Sequence, residues 1–336
     1  MKTAVVILNW NGRPMLERFL PSVVEHTTGD AEVIIADNGS TDDSIAFLKA
    51  HYPTIRLILM DRNYGFAEGY NRALSQIDAE YYVLLNDDVE VTPGWVDKVV
   101  TLMDTNSSIA IAQPLLRMFD ERTRFEYAGG AGGFIDKLGY PFCRGRIFST
   151  IEYDFGQYNG TREVFWASGA AMFVRASVWK ELGGLDGDFF AHMEEIDFCW
   201  RTKMKGYKVI ATSNAKVFHV GGGTLPKSSP LKTLLNFRNN LAMLYKNLPS
   251  NRLRRVLFIR IILDWVAAFS FLFKGNGGEF QAVFMAHREF RKWKPTLRAK
   301  REAIQPKEVN FIYRRPILVD YYLRGKKTFN QLGILE

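Results

Sequence analysis

Three polar residues, Asn86-Asp87-Asp88, close the run Tyr81-Tyr82-Val83-Leu84-Leu85, whose aromatic and branched side chains predict a buried strand. In an open α/β sheet, ligands bind beyond the carboxyl ends of the strands, which puts chemistry at this triplet. Two adjacent carboxylates suit a hard cation and a phosphate-bearing ligand. Asn and Asp also close turns through their own side-chain bonds, so the triplet alone favours a plain turn and its neighbours must decide.

Asp37-Asn38-Gly39-Ser40-Thr41-Asp42-Asp43 repeats the pattern after a second apolar run. Ser40 and Asp43 have the spacing of a capping box. Asp37 lies outside that box and offers an acceptor for a ring N–H or a sugar hydroxyl; cap and ligand site are equally good readings of the segment. Asn63-Tyr64-Gly65-Phe66-Ala67-Glu68-Gly69-Tyr70-Asn71 follows a third run and opens a helix. Its glycines permit close backbone approach to a ligand, and the free N–H groups of a helix start favour phosphate. No Lys-Ser/Thr pair follows, so this is not a Walker loop, and a tight turn is its bland alternative.

Further along stands His192-Met193-Glu194-Glu195-Ile196-Asp197-Phe198-Cys199-Trp200-Arg201. On a helix, Glu194, Asp197 and Arg201 share a face and Glu195 points elsewhere. A carboxylate at a helix start facing a cleft can serve as a general base; the commoner role of such a residue is to complement the helix dipole. Phe189 and Phe190 upstream predict a desolvated wall, which raises a carboxylate's pKa. Trp166-Ala167-Ser168-Gly169 combines an aromatic platform for a sugar with small residues that leave room, although a Trp in a core is more frequent. His219 ends a strand-like run before Gly221-Gly222-Gly223-Thr224. A lone His is usually structural, but beside a metal site it becomes a ligand, and the glycines predict a loop that orders when a ligand binds.

These groups need a scaffold. Strand-like segments over 3–8, 32–36, 55–59 and 81–85 alternate with helix-like segments over 14–26, 40–50 and 66–77. That rhythm predicts βαβ crossovers and a mostly parallel, doubly covered sheet. A helix opens at Pro93-Gly94-Trp95, and residues 120–162, rich in Gly and aromatics, read as irregular loops and short hairpins. Strand-like pieces at 163–166 and 170–174, helices at 176–182 and 194–205, and closing strands at 208–211 and 215–220 complete the unit.

Val5-Val6-Ile7-Leu8-Asn9-Trp10-Asn11-Gly12, Asp37 to Asp42, Asn63 to Ala67 and Leu84 to Asp88, in this order, resemble the nucleotide-sugar half of family 2 glycosyltransferases. The rhamnosyltransferase-like branch is the nearest in flavour, and the resemblance spans roughly residues 1–225. It implies an α/β fold of GT-A type, a Rossmann-like, mostly parallel mixed sheet with flanking helices, plus a C-terminal helical extension. The expected division is a catalytic domain over 1–225, with a nucleotide-binding half over 1–90 and an acceptor and catalytic half over 91–225, followed by a basic membrane-associating region over 226–336. The implied activity is inverting, metal-dependent transfer of a hexosyl group from a nucleotide-diphosphate sugar to a hydroxyl of a glycan or lipid-linked acceptor, as in bacterial-type surface polysaccharide assembly.

By the same resemblance Trp10 and Asp37 hold the base, Asp87 the ribose or base edge, and Asn63, Gly65 and Asn71 belong to the nucleotide site. Asp88 and His219 hold Mn²⁺ or Mg²⁺, and Glu195 is the catalytic base. Trp166, Ser168, Gly169, Glu194 and Arg201 lie at the boundary of donor sugar and acceptor. The chain departs from the family pattern in two places: Asn86 replaces the first acid of Asp-x-Asp, and Glu195 replaces an Asp, moving its carboxylate outward by one methylene. A non-catalytic sugar-nucleotide or glycan-binding protein and a nucleotidyltransferase are the competing classes. The second is disfavoured because Asn9-Trp10-Asn11-Gly12-Arg13 is a poor Gly-rich, basic phosphate loop.

The 336 residues, 47% hydrophobic and 24% charged, are globular in composition. Cys143 and Cys199 are too few for a disulfide framework, which fits a reducing cytoplasm, and the apolar run at the start reads as a first strand rather than a signal peptide. The net charge of +8 conceals a division. Residues 1–230 carry 23 Lys and Arg against 29 Asp and Glu, whereas 231–336 carry 21 against 7. In that basic tail a helix over 234–248 offers Arg238 to a phosphate of the donor or of a lipid headgroup. The apolar run 256–273 is interrupted by Arg260 and Asp264, four apart and able to pair. Two charges near the middle of a short run favour an amphipathic helix lying on an anionic membrane surface over a spanning one, and a buried helix is the remaining alternative. With no RNA-binding module or zinc spacing beside it, the tail's partner is expected to be membrane rather than nucleic acid.

Overall fold

The computed structural model describes residues 1–221 and 229–334. Four parallel strands form one half of the central sheet: β1 (Thr3–Asn9), β2 (Ala31–Asp37), β3 (Arg56–Leu59) and β4 (Tyr81–Leu85). Helices α1 (Arg13–His26), α2 (Ser44–His51) and α3 (Gly65–Leu74) make the crossovers. β1 and β4 are covered on both faces, which is why their sequences run continuously apolar instead of alternating. Their carboxyl ends therefore come out on one edge, with Asn9, Asp37 and Asn86 side by side.

The other half is mixed. It contains β5 (Val89–Val91), α4 (Trp95–Asp104), β6 (Ile109–Met118), then β7 (Gly133–Asp136), β8 (Pro141–Cys143), β9 (Arg146–Ile147), β10 (Thr150–Ile151) and β11 (Thr161–Glu163). β12 (Ala171–Arg175), α5 (Ala176–Leu182), α6 (Glu194–Met204) and β13 (Lys208–His219) follow. The main sheet has the order β11-β13-β6-β12-β4-β1-β2-β3, with β5 on β13. β12 is inserted antiparallel between β4 and β6, and this carries Ser168 and Gly169 to the sheet edge beside Asn86. The Asn86 N–H donates to Ala170 O at 3.0 Å.

Three readings of the sequence are corrected here. The closing strands are one strand, bulged between Thr212 and Lys216. The short hairpins expected within 120–162 form, but instead of standing alone they join β14 (Ile312–Tyr313) in a second sheet, in the order β10-β9-β8-β7-β14. The Ser40–Asp43 capping box does not form, because α2 starts at Ser44 and the Ser40 hydroxyl instead accepts from Asn9 Nδ2 at 3.0 Å and Asn11 N at 2.9 Å.

Helices α7 (Pro230–Asn247), α8 (Ser250–Phe273) and α9 (Gly277–Ile304) pack on one another, and α7 also packs on α6. Residues beyond 304 return to the second sheet, where β14 pairs with β7 and Phe329 is buried against Phe134. α8 is long and apolar enough to cross a membrane by length and composition, yet the two charges within its apolar run face the protein. Arg260 and Asp264 are 3% and 1% exposed. Arg260 donates to Asn240 Oδ1 at 2.6 Å and Leu138 O at 3.0 Å and pairs with Asp264 at 3.3 Å, while His287 of α9 reaches the other Asp264 oxygen at 3.1 Å. Removing one member of a buried pair strands the other. Arg260→Met is therefore expected to lower unfolding free energy by about 3 kcal/mol or more, read from denaturant melts, and a change under about 1 kcal/mol would show the cluster to be dispensable.

Candidate active site

Loops from four strand ends converge on the sheet edge, and the contacts are local consequences of their sequences. Asp37 is nearly sealed: Oδ1 accepts from Asn9 Nδ2 at 2.8 Å and Oδ2 from Ser40 N at 3.0 Å. Asn38 bridges to the next loop, its amide reaching Asn63 Oδ1 at 3.1 Å and Gly65 O at 3.0 Å, while its oxygen accepts from Tyr64 N. Asn63 Oδ1 in turn accepts from Gly65 N at 2.7 Å, so Asn63 shapes the turn. Trp10 stands at the rim, 44% exposed. Asp87 lies against Gly12, where no Cβ would fit beside its carboxylate. Burial, then the neighbouring Asp88, raises the Asp87 pKa to about 7.

Asp88 and His219 meet at the end of β13, 3.0 Å apart between Oδ1 and Nε2. Asp88 Oδ2 is fixed by Gly221 N at 3.2 Å, whereas Oδ1 is buried with the His219 ring as its partner. The far ring nitrogen of His219, Nδ1, faces Glu126 Oε1 at 3.3 Å, and Glu126 is itself held by Ala128 N. Burial opposes charge on His219, but the two carboxylates, Asp88 foremost, outweigh it and raise the imidazole to about 10. Burial likewise works against ionised Asp88, and His219 overcomes it to hold the carboxyl below its ordinary range. A buried carboxylate and an imidazole whose other nitrogen faces a second carboxylate are a donor set that fits a divalent cation, which would take the place of the proton held between Asp88 and His219. Among the described residues no cluster of three or more metal-binding side chains is present, so a cation there needs ligands beyond these side chains.

Glu194 and Glu195 open α6 after an unusual turn. Phe190, His192 and Met193 all have positive φ, at 65°, 71° and 74°, a conformation that costs non-glycine residues energy unless the surroundings enforce it. The enforcement is visible. Asn239 of α7, fully buried, reaches Phe189 O at 3.0 Å and both Ala191 O and His192 O at 2.8 Å, and Phe190 O accepts from Phe66 N at 2.7 Å. Burial raises the Glu195 pKa to about 7, and burial followed by Glu195 itself raises Glu194 well above its ordinary value. One oxygen of each carboxyl, Oε2, is buried without a partner. Glu195 lies over Gly169: a Cβ there would stand 3.0 Å from the Phe66 ring and 4.0 Å from Glu195 Cβ. Gly169, Phe66 and Glu195 thus share one wall, one loop removed from Asn86.

Other expected site residues are engaged within the protein. Trp166 is a core residue rather than a sugar platform, its indole N–H donating to Phe134 O at 3.0 Å and its ring packed on Gly133. Arg201 is committed to Asp197 at 2.9 Å and to the carbonyls of Leu182 and Gly184, and Asp197 also takes Lys246 and Asn247. Asn71 bonds both backbone polar groups of Leu185. Ser168 is buried, its N–H bonded to Gln113. Arg238 donates to Phe189 O at 3.3 Å and lies over Trp293, which places it on the strained turn. Gly222, Gly223 and Thr224 lie outside the described residues. Two residues escaped the sequence reading: Glu126, which has no local signal, and Asn239, which sits in the noted Arg238-Asn239-Asn240 but acts through tertiary contacts.

The family model described as "Glycosyl transferase family 2" matches residues 4–182. The chain belongs to glycosyltransferase family 2. The enzyme is 29% identical over 230 residues to an N-acetylglucosaminyl-diphospho-decaprenol L-rhamnosyltransferase of Mycobacterium tuberculosis, covering 64% of this chain and 75% of that protein. This supports the rhamnosyltransferase-like branch read from the motifs. The glycosyltransferase also shares its fold with GalNAc-T7, solved with UDP, GalNAc and Mn²⁺ (TM-score 0.57, 14% identity, 74% of this chain and 48% of that one). A second fold match is S. aureus TarS 1–349 in complex with UDP-GlcNAc (TM-score 0.55, 15% identity, 98% and 93%). The mixed sheet with a C-terminal helical region is that of a GT-A glycosyltransferase.

Proposed function

We propose that this glycosyltransferase is an inverting, metal-dependent hexosyltransferase of cell-surface glycan assembly, moving a sugar from a nucleoside-diphosphate donor to a hydroxyl of a glycan or lipid-linked acceptor at the cytoplasmic face of a membrane. The observation that carries the reading is Glu195, a desolvated carboxylate with an unpartnered oxygen, on the wall formed with Gly169 and Phe66, one loop from Asp88 and His219. The mycobacterial relative's name specifies a diphospho-lipid acceptor, and the TarS complex holds a nucleotide sugar. Both support the substrate classes.

Asp88 and His219 would hold Mn²⁺ or Mg²⁺, completed by donor phosphate oxygens, and there the cation supplies positive charge to the departing diphosphate. Asp37 and Asp87 accept from the nucleoside, with Trp10 against its base, and the Asn63–Gly65 turn, closed by Asn38 and by Phe190 against Gly65, supports the neighbouring loop. Glu195 takes the acceptor hydroxyl proton as that oxygen bonds the anomeric carbon from the face opposite the diphosphate. The bond from the anomeric carbon to the diphosphate oxygen breaks with its electron pair, so configuration inverts. Burial, then Glu195 itself, favours the neutral form of Glu194, which lessens the negative charge beside Glu195.

A panel of nucleoside diphosphates and their sugars, each titrated calorimetrically with and without Mn²⁺, tests the donor half. Binding by at least one pair that strengthens with Mn²⁺ is expected. Indifference to every nucleotide would reject the proposal.

A further inference from the structure

α8 is amphipathic with its faces reversed from those of an ordinary surface helix. Its charged pair, Arg260 and Asp264, faces the protein, and its outer stripe is apolar: Phe258, Ile262, Trp265, Val266, Phe269 and Phe273 are 66, 49, 49, 63, 45 and 86% exposed. α9 extends the patch with exposed Phe284 and Met285, and Phe284 and Phe280 meet Trp265 and Phe269 ring to ring at 6.2 and 5.7 Å. A monomeric soluble protein rarely leaves so continuous an apolar surface in water. The flanks are basic. Exposed Arg254 and Arg255 precede the stripe, Lys274 follows it, and Arg288, Arg291 and Lys292 lie along α9. Over residues 250–300 there are 11 Lys and Arg against 3 Asp and Glu, and one of each belongs to the buried Arg260–Asp264 pair.

We propose that this face of α8 and α9 is a docking surface for an anionic lipid bilayer, on which α8 lies flat with its aromatic stripe among the headgroups and its basic flanks over anionic lipid. Charge decides between occupants. A second copy would bring two basic rims together, whereas anionic headgroups complement the rim while aromatic side chains suit the boundary of water and hydrocarbon. A spanning α8 would have to expose Arg260 and Asp264 to hydrocarbon and break their bonds to Leu138, Asn240 and His287. The surface is rigidly tied to the catalytic turn: Trp293 of α9 packs on Phe189 at 5.6 Å, and Lys300 pairs with Asp186 and Asp188. Docking therefore holds the cleft at one fixed attitude to the membrane, where a lipid-linked hydroxyl arrives. The inference rests on the membrane placement in the proposed function and not on its chemistry.

The test is co-sedimentation of the full chain with phosphatidylcholine vesicles, with and without phosphatidylglycerol. Binding only to the anionic vesicles is expected, reversed by high salt or alkaline carbonate. Combined Phe258→Ser, Trp265→Ser and Phe269→Ser should weaken partitioning by about tenfold or more, and Arg254→Gln with Arg255→Gln by about tenfold. All five side chains are exposed, so the variants should retain the wild-type melting temperature and Mn²⁺-dependent nucleotide binding; their loss of vesicle binding then stands apart from any failure of the catalytic reading. Sedimentation unchanged in both variants, extraction only by detergent, or a dimer in light scattering that the Phe and Trp substitutions abolish would each overturn the proposal.

Discussion

Glu195→Gln should lower kcat by about 10²–10⁴-fold and leave the dissociation constant of the donor within about twofold, because an amide keeps the shape of the side chain but cannot accept the acceptor's proton. The pH profile provides a second, independent reading. As the proposed base Glu195 would act in its ionised form, and burial raises its pKa to about 7, so wild-type kcat should rise about tenfold per pH unit below about 7 and level off above it. The residual activity of Glu195→Gln should lack that limb. Stability should move the opposite way. The folded pKa lies above its ordinary value, so the neutral carboxyl favours folding at low pH and that contribution is lost as pH rises through about 7. Glu195→Gln should accordingly be more stable than wild type above pH 7 by about 1–3 kcal/mol and indistinguishable from it below about pH 4. Full activity in the variant at any pH would remove Glu195 from the chemistry.

Asp88→Ala should abolish the Mn²⁺-dependent part of donor binding and lower kcat/KM by about 10²–10³-fold or more, since the charge it contributes acts where the diphosphate becomes negative. His219→Ala should follow in kind. Glu126→Gln, which alters only the partner of the outer imidazole nitrogen, should weaken Mn²⁺ affinity by about 10–100-fold while sparing metal-free nucleotide binding. Calorimetry of a nucleoside diphosphate with and without Mn²⁺ separates these effects. Equal Mn²⁺ enhancement in wild type, Asp88→Ala and His219→Ala would reject the metal assignment.

Why were some of these groups visible in the chain and others not? Asp37, Asn63 and Gly65 sit where a strand gives way to a helix, and Asn86, Asp87 and Asp88 where β4 gives way to the short β5. The change from apolar run to polar turn is local, and the carboxyl-edge rule converts it into a place in space. Trp166 and Arg201 were misplaced for the converse reason. A Trp in a small-residue loop and an Arg on an acidic helix look alike whether they face a cleft or a core. Only Phe134 O and Gly133 on one side, and Asp197, Leu182 O and Gly184 O on the other, decide the matter. Asn71 was drawn into the nucleotide site by its position in the motif, yet its amide is matched to Leu185, over a hundred residues away.

The sequence by itself determined the doubly covered sheet, the four ordered loops of a family 2 glycosyltransferase and the basic character of the tail, because each rests on runs of neighbouring residues whose period and composition are set by local physics. The tertiary structure alone decided which oxygens are left without donors, that Glu126 orients His219, and that Asn239 clamps the strained turn before Glu195. It also decided that the apolar stripe of α8 faces outward while Arg260 and Asp264 face in. Those outcomes depend on contacts between segments tens to hundreds of residues apart, where burial and partner choice are properties of the packed chain and not of any stretch of it.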